Sequence, residues 1–260
     1  MTIPDVSRRT LLARSSALAG ATFLASVPGA ALLAAPAYAD SSSYSKTPTG
    51  EEISDAFRRV QENQNRVRAG RLSPNGWEME KTTNGGGNIW TRPTPGTPLT
   101  GVTVRIGDAE AILIHVIRRF HYEISELRND DVTGWRSPSE VRRNWPEGNQ
   151  ASGTAVQIRP GFYPAGTSGG FSHLQLLVIR DILAELDGAV RWGGDDRHLN
   201  ESLFYLDVGP DEPRLAEMVE KIRAWGDTPG RGAGAPVDVL AADRRRAAEA
   251  LERRQSGTAA

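Results

Sequence analysis

The chain has no cysteine. Disulfides, thiolate metal ligands and a cysteine nucleophile are thereby excluded, and stability has to come from an apolar core. Lysine is scarce as well: Lys46, Lys81 and Lys221 are the only three among 31 basic residues. With abundant Ala and Gly, this Arg-for-Lys bias points to a GC-rich genome and carries no functional message. Nor is there an excess of charge of either sign, since 31 Lys and Arg stand against 32 Asp and Glu. No basic field for nucleic acid is therefore set up. The run Gly85-Gly86-Gly87 is not followed by Lys-Ser/Thr or a helix start, which excludes a phosphate loop. No Ser-His-Asp arrangement stands out.

What is present begins at the N-terminus. Ser7-Arg8-Arg9-Thr10-Leu11-Leu12, an apolar stretch from about Ala17 to Ala35, and Ala37-Tyr38-Ala39 read as a twin-arginine export signal over 1–39 with an A-x-A cleavage site. The apolar stretch approaches the length of a membrane anchor, but Gly20, Pro28, Gly29 and Pro36 interrupt it, so cleavage before Asp40 is the expectation. The product would be secreted, extracellular or associated with the cell wall, with no stable membrane anchor. Removing Arg8, Arg9, Arg14 and Asp5 takes 31 basic and 32 acidic residues to 28 and 31, a net charge of −3. About 220 residues remain, enough for one domain with a sizeable core.

Residues 40–50, rich in Ser, read as a flexible leader. Ile53, Phe57, Val60 and Val67 recur at helical spacing, predicting an amphipathic helix over 51–69 that either packs on the domain or meets a partner. Residues 75–98 read as a hairpin or an extended surface loop, and Leu99, Val102, Val104 and Ile106 as a strand. Asp108 is expected to cap a helix carrying Ile112, Leu113, Val116, Ile117 and Phe120, and Ser172 to cap one carrying Leu174, Leu177, Val178 and Ile182 that stops at Gly188. Strands are predicted at 155–158, 189–192 and 202–208, with a helix from Asp211. The domain would span 51–225. Over 226–260 a Gly/Pro-rich linker precedes a charged helix beginning at Arg244-Arg245-Arg246, a pattern of a solvated face. The fold class is α+β, a single domain with a mainly antiparallel sheet and helices on one side.

One run stands out: Gly148-Asn149-Gln150-Ala151-Ser152-Gly153-Thr154-Ala155-Val156-Gln157-Ile158, followed by Val190-Arg191-Trp192-Gly193-Gly194-Asp195 and Ser202-Leu203-Phe204-Tyr205-Leu206. It resembles the site of VanY-like zinc D-alanyl-D-alanine carboxypeptidases and related peptidoglycan endolysins. These carry Ser-x-His-x-x-Gly-x-Ala-x-Asp, then Trp-Gly-Gly-Asp, then an acid three residues before a His-Phe pair. Arg119 through Arg128, Gly134-Trp135 and Asn149 extend the likeness, which covers roughly 100–225. The resemblance implies a DD-peptidase-like architecture and a cell-wall peptide as ligand, or a cell-wall protein as partner. It also places Gln150 and Gln157 where the first His and the Asp ligand belong, Leu203 at the second His and Asn200 at the catalytic acid.

All four positions are neutral here. Hydrolytic zinc needs three His, Asp or Glu ligands and a carboxylate to move the proton of its water. The expectation is therefore no metal, no cofactor and no catalytic residue. Gln150, Gln157, Asn200, Leu203, Trp192 and Asp195 are the candidate ligand-binding residues of one groove, Trp192 either as an apolar wall or as a core side chain. Two alternatives stay open. Rearranged ligands, with His121 or His198 and Glu201, would restore a metallopeptidase; otherwise the chain is an interaction or inhibitory subunit acting through its terminal helices. His115 sits in an apolar helical run and His173 at a helix start, where packing or solvation are the ordinary roles.

Overall fold

The computed structural model describes residues 49–258. The export signal and the Ser-rich leader up to residue 48 lie outside the described residues. Helix α1, Gly50–Val67, starts on a capping box in which the Thr49 hydroxyl accepts from Glu52 N–H and the Glu52 carboxylate accepts from Thr49 N–H. Its acidic first turn and Arg66 in the last turn suit the helix dipole. Strands β1 (Arg68–Leu72) and β2 (Glu78–Glu80) pair antiparallel, as do β3 (Ile89–Arg92) and β4 (Val102–Arg105).

The segment 75–98 is not a surface loop throughout. Met79 and Ile89 are fully buried, and Glu80 is buried beside Arg105 at 3.5 Å while accepting from Asn88 N–H at 3.0 Å. Sequence polarity hid this, because a buried carboxylate survives only when it is paired. Helix α2, Asp108–Glu123, is capped differently from the expectation: Gly107 at φ 89° is the N-cap, with no side-chain cap, and Asp108 is the first helical residue.

The central sheet has the order β5-β6-β8-β7 and is antiparallel throughout, from β5 (Val132–Thr133), β6 (Ala155–Ile158), β7 (Val190–Trp192) and β8 (Leu203–Leu206). Alternation gives it two faces. Val156, Ile158, Val190, Trp192, Phe204 and Leu206 join the core under α2 and α3, His173–Glu185. Phe120 of α2 meets Phe204 and Phe171 edge-on, with centroids 6.3 and 6.1 Å away. Ala155, Leu203 and Tyr205 form a separate cluster on the other face. The class is thus α+β, as the strand and helix order implies.

Helix α3 starts on Ser172 with Gln175 completing the box, and the chain leaves it through Gly188 at φ 73°. Helix α4 is Pro213–Gly226, with Pro213 at its first turn. Helix α5, Ala242–Thr258, packs on α3: Leu251 and Ala248 are buried, and the Arg244 guanidinium donates to both carboxylate oxygens of Asp181 at 2.6 Å. Behind it lies a buried ionic cluster. Arg119, 1 % exposed, pairs with Glu123, Asp181 and Glu185, and Glu185 also meets His115 Nε2 at 3.1 Å.

Candidate functional site

The motif run folds into a 3-10 helix, Pro146–Ser152, and then β6. Gly153 joins them in the left-handed region at φ 70°, and a Cβ there would lie 2.6 Å from Arg105 N, so only glycine fits. Arg105 holds the junction, its Nε donating to Ser152 O at 2.9 Å and a terminal nitrogen to Glu78 O at 2.6 Å. Asn149 is held from outside the motif, with its Oδ1 accepting from Asn75 N–H at 3.1 Å. Asn75 also donates through Nδ2 to Thr154 Oγ1 and Leu206 O, both at 2.9 Å. Neither Asn75 nor Arg105 belongs to the motif run, so no local pattern singles them out.

The three aligned positions do converge. Thr133 pairs with Gln157 and Gln157 with Leu203 across the sheet, so these side chains share the face away from α2 and α3. Gln150 reaches the same row: its Nε2 donates to Thr133 O at 3.2 Å and Gly134 O at 2.8 Å. Two carbonyl acceptors fix the amide orientation, because the flipped amide would turn its oxygen against them. Gln150 Oε1 is consequently a fully buried acceptor with no hydrogen-bond partner among the described residues. An unmet buried acceptor costs about 1–3 kcal/mol.

Asn200 and Leu203 line a cavity of about 400 Å³ together with Arg142, Trp145, Glu147, Arg197 and His198. Trp145 is sandwiched, with the His198 ring stacked on it at 3.6 Å and tilted 5°, and the Arg142 guanidinium carbon 3.7 Å from the ring centre. Arg142 is tied to Glu147 by Nε at 2.8 Å and by its own N–H at 2.9 Å. Burial alone would raise the Glu147 pKa, yet the hydrogen bonds from Arg142 outweigh it and hold this carboxyl below its usual range. Arg197 is exposed on the cavity rim and makes no ion pair among the described residues. The cavity therefore has a basic, aromatic rim and a floor of Asn200 and Leu203.

Two candidates lie elsewhere. Trp192 is 3 % exposed, packs against Phe171 in the helix-covered core and donates Nε1–H to Glu201 O at 2.7 Å. It is a core side chain and no wall of the groove. Asp195 is spent in a bidentate pair with Arg180, with one contact at 2.7 Å. Asp196 meets Tyr205 Oη at 3.0 Å and Arg191 at 3.2 Å. Burial pushes both the Asp196 carboxyl and the Tyr205 phenol up.

These residues do not fit a zinc ion. Leu203 has no donor atom, Gln150 presents its amide nitrogen to backbone carbonyls, and Asn200 Oδ1 accepts from Ser202 Oγ at 2.7 Å. Rearranged ligands do not assemble either. His121 Nδ1 accepts from Leu127 N–H at 2.9 Å, His198 lies on Trp145, and Glu201 accepts from Gly169 and Gly170 N–H at 2.8 and 2.9 Å. Among the described residues no group of three His, Asp or Glu side chains is placed to hold a metal, and none of the helices is long and apolar enough to cross a membrane. No family model, no curated protein and no solved structure matches the chain.

Proposed function

We propose that the protein is an exported, catalytically degenerate DD-carboxypeptidase-like protein that binds a cell-wall peptide without hydrolysing it. The observation that carries this reading is the convergence of Gln150, Gln157 and Leu203 on one sheet row, with Leu203 also in the floor of the basic cavity. Where the resembled peptidases hold a metal, this chain has neutral side chains, so the step lost is activation of water and the capacity kept is recognition. A peptide ending in a free carboxylate suits the rim, where exposed Arg197 supplies a charge-assisted donor beside the His198–Trp145–Arg142 stack. Asn200 Nδ2 in the cavity, and the Gln157 amide beside Leu203 on the same sheet row, add groups for the peptide's own backbone. Twin-arginine export puts the protein where such peptides occur. A cell-wall protein presenting a carboxylate tail is the alternative partner of the same cavity.

The test is calorimetric titration of a stem peptide ending in D-alanyl-D-alanine, alongside its C-terminal amide. Saturable binding of the acid, weakened about tenfold or more in the amide and in Arg197→Ala, is the expected result. Equal binding of acid and amide, or release of D-alanine, would overturn the reading.

A further inference from the structure

Helix α1 leaves an apolar stripe in solvent. Ile53, Phe57 and Val60 are 44 %, 71 % and 54 % exposed, whereas Val67, at the helix end, is buried. Among the described residues the helix is attached near its C-terminus, where Asn63 Nδ2 donates to Gly86 O at 3.1 Å and Arg66 donates to Gly85 O at 3.0 Å. The stripe has a definite period. Ile53, Phe57, Val60, Gln64 and Val67 follow one another at alternating steps of four and three, the seam of a two-stranded coiled coil and not the wider face of a helix lying on a core.

Two features of the sequence choose the occupant. The positions flanking the seam are Ser54, Ala56, Gln61 and Asn63, all uncharged, so a second copy brings no like charges against them. The charges are also split along the axis: the first half, 50–58, holds Glu51, Glu52 and Asp55 against Arg58 alone and is net acidic, while the second half, 59–67, holds Arg59 and Arg66 against Glu62 and is net basic. An antiparallel copy sets the acidic half of each helix on the basic half of the other. It opposes the two helix dipoles as well. An anionic lipid surface meets no such match, because the helix as a whole has four acids and three bases.

We infer that α1 is a self-association helix, pairing antiparallel with α1 of a second copy about a two-fold axis between Phe57 and Val60. In this register Phe57 faces the second copy's Val60, and Ile53 faces its Gln64. The interface is isologous and closes at two copies. With one short seam and one Gln in it, the association is weak, in the micromolar range or above, and reversible.

The absence of cysteine makes the test clean. Ile53→Cys and Gln64→Cys chains are purified separately and mixed under mild oxidation, and sedimentation equilibrium is run on the unmodified protein across a hundredfold concentration range. The expected result is a monomer–dimer equilibrium, a disulfide-linked dimer between Ile53→Cys and Gln64→Cys chains in excess of either alone, and a monomer for Phe57→Glu with an unchanged melting temperature. Cross-linking of Ile53→Cys to itself in preference would overturn the antiparallel arrangement. A protein that stays monomeric over the whole range, or a dimer that survives Phe57→Glu, would overturn the inference itself.

Discussion

The two faces of the central sheet are built on opposite terms. The face under α2 and α3 is closed with aliphatic and aromatic side chains, Phe204 and Ile158 among them with no exposure, and every aromatic ring there has a partner. The other face carries Gln157 and Leu203 in one row and Ala155, Tyr205 and Arg191 in the next, with Gln150 leaving a buried acceptor unmet. One face is complete within the chain. The other keeps polar groups and a basic cavity at a position where stability alone favours apolar closure, and that imbalance is what marks the site.

The closed face carries the largest expected effect. Phe204→Ala is expected to cost about 3–5 kcal/mol in urea unfolding, because its ring is fully enclosed and the helices above cannot collapse into the hole. Acid unfolding probes the helical layer next. Burial would raise the Glu185 pKa, but its hydrogen bond to His115 and the Arg119 charge prevail and hold it at about 2, from an ordinary value of 4.5. A depressed carboxyl contributes stability that is fully present above 4.5 and lost as pH falls towards 2, on the order of 3 kcal/mol in all. Glu185→Gln should flatten that part of the stability profile measured by thermal melting; an unchanged acid slope would remove Glu185 from the account.

Smaller effects belong to the open face. Gln150→Leu deletes the orphaned acceptor and the two hydrogen bonds to Thr133 O and Gly134 O, for a net loss of about 1–3 kcal/mol by urea unfolding. Gln157→Ala should move stability by about 0.5 kcal/mol or less, yet weaken stem-peptide binding severalfold. A Gln157→Ala protein that loses several kcal/mol and binds peptide unchanged would place this row with the core and abolish the contrast.

The terminal helices show what the sequence could and could not reveal. Helix α1 has the stronger apolar periodicity, which leaves both packing on the domain and contact with a partner open; in the structure its stripe faces solvent. Helix α5 reads as a solvated charge run, yet it packs on α3 through Arg244, Ala248 and Leu251. Periodicity reports that a face is apolar and not what covers it, and a charge run becomes a buried seam when its counter-charges, here Asp181 and Glu185, lie some 60 residues away. The strands at 155–158 and 189–192 and the Ser172 cap were legible because alternation and capping are local. Arg142, Trp145, Arg197 and the buried Glu80–Arg105 pair were not, since their roles arise from packing between distant segments. Trp192 and Asp195 sit near the motif in sequence, but strand alternation sends the Trp192 ring to the helix-covered face, and Arg180 of α3 takes up the Asp195 carboxylate.

The proposed function puts Gln150, Gln157 and Leu203 where the resembled peptidases hold a metal. Zinc stoichiometry tests it most directly, measured by elemental analysis after zinc equilibration and removal of loose metal, on the unaltered protein and on a variant carrying Gln150→His, Gln157→Asp and Leu203→His. The expected result is essentially no zinc on the unaltered chain and close to one per chain on the variant. Close to one zinc on the unaltered chain, or none on a variant that folds, would contradict it.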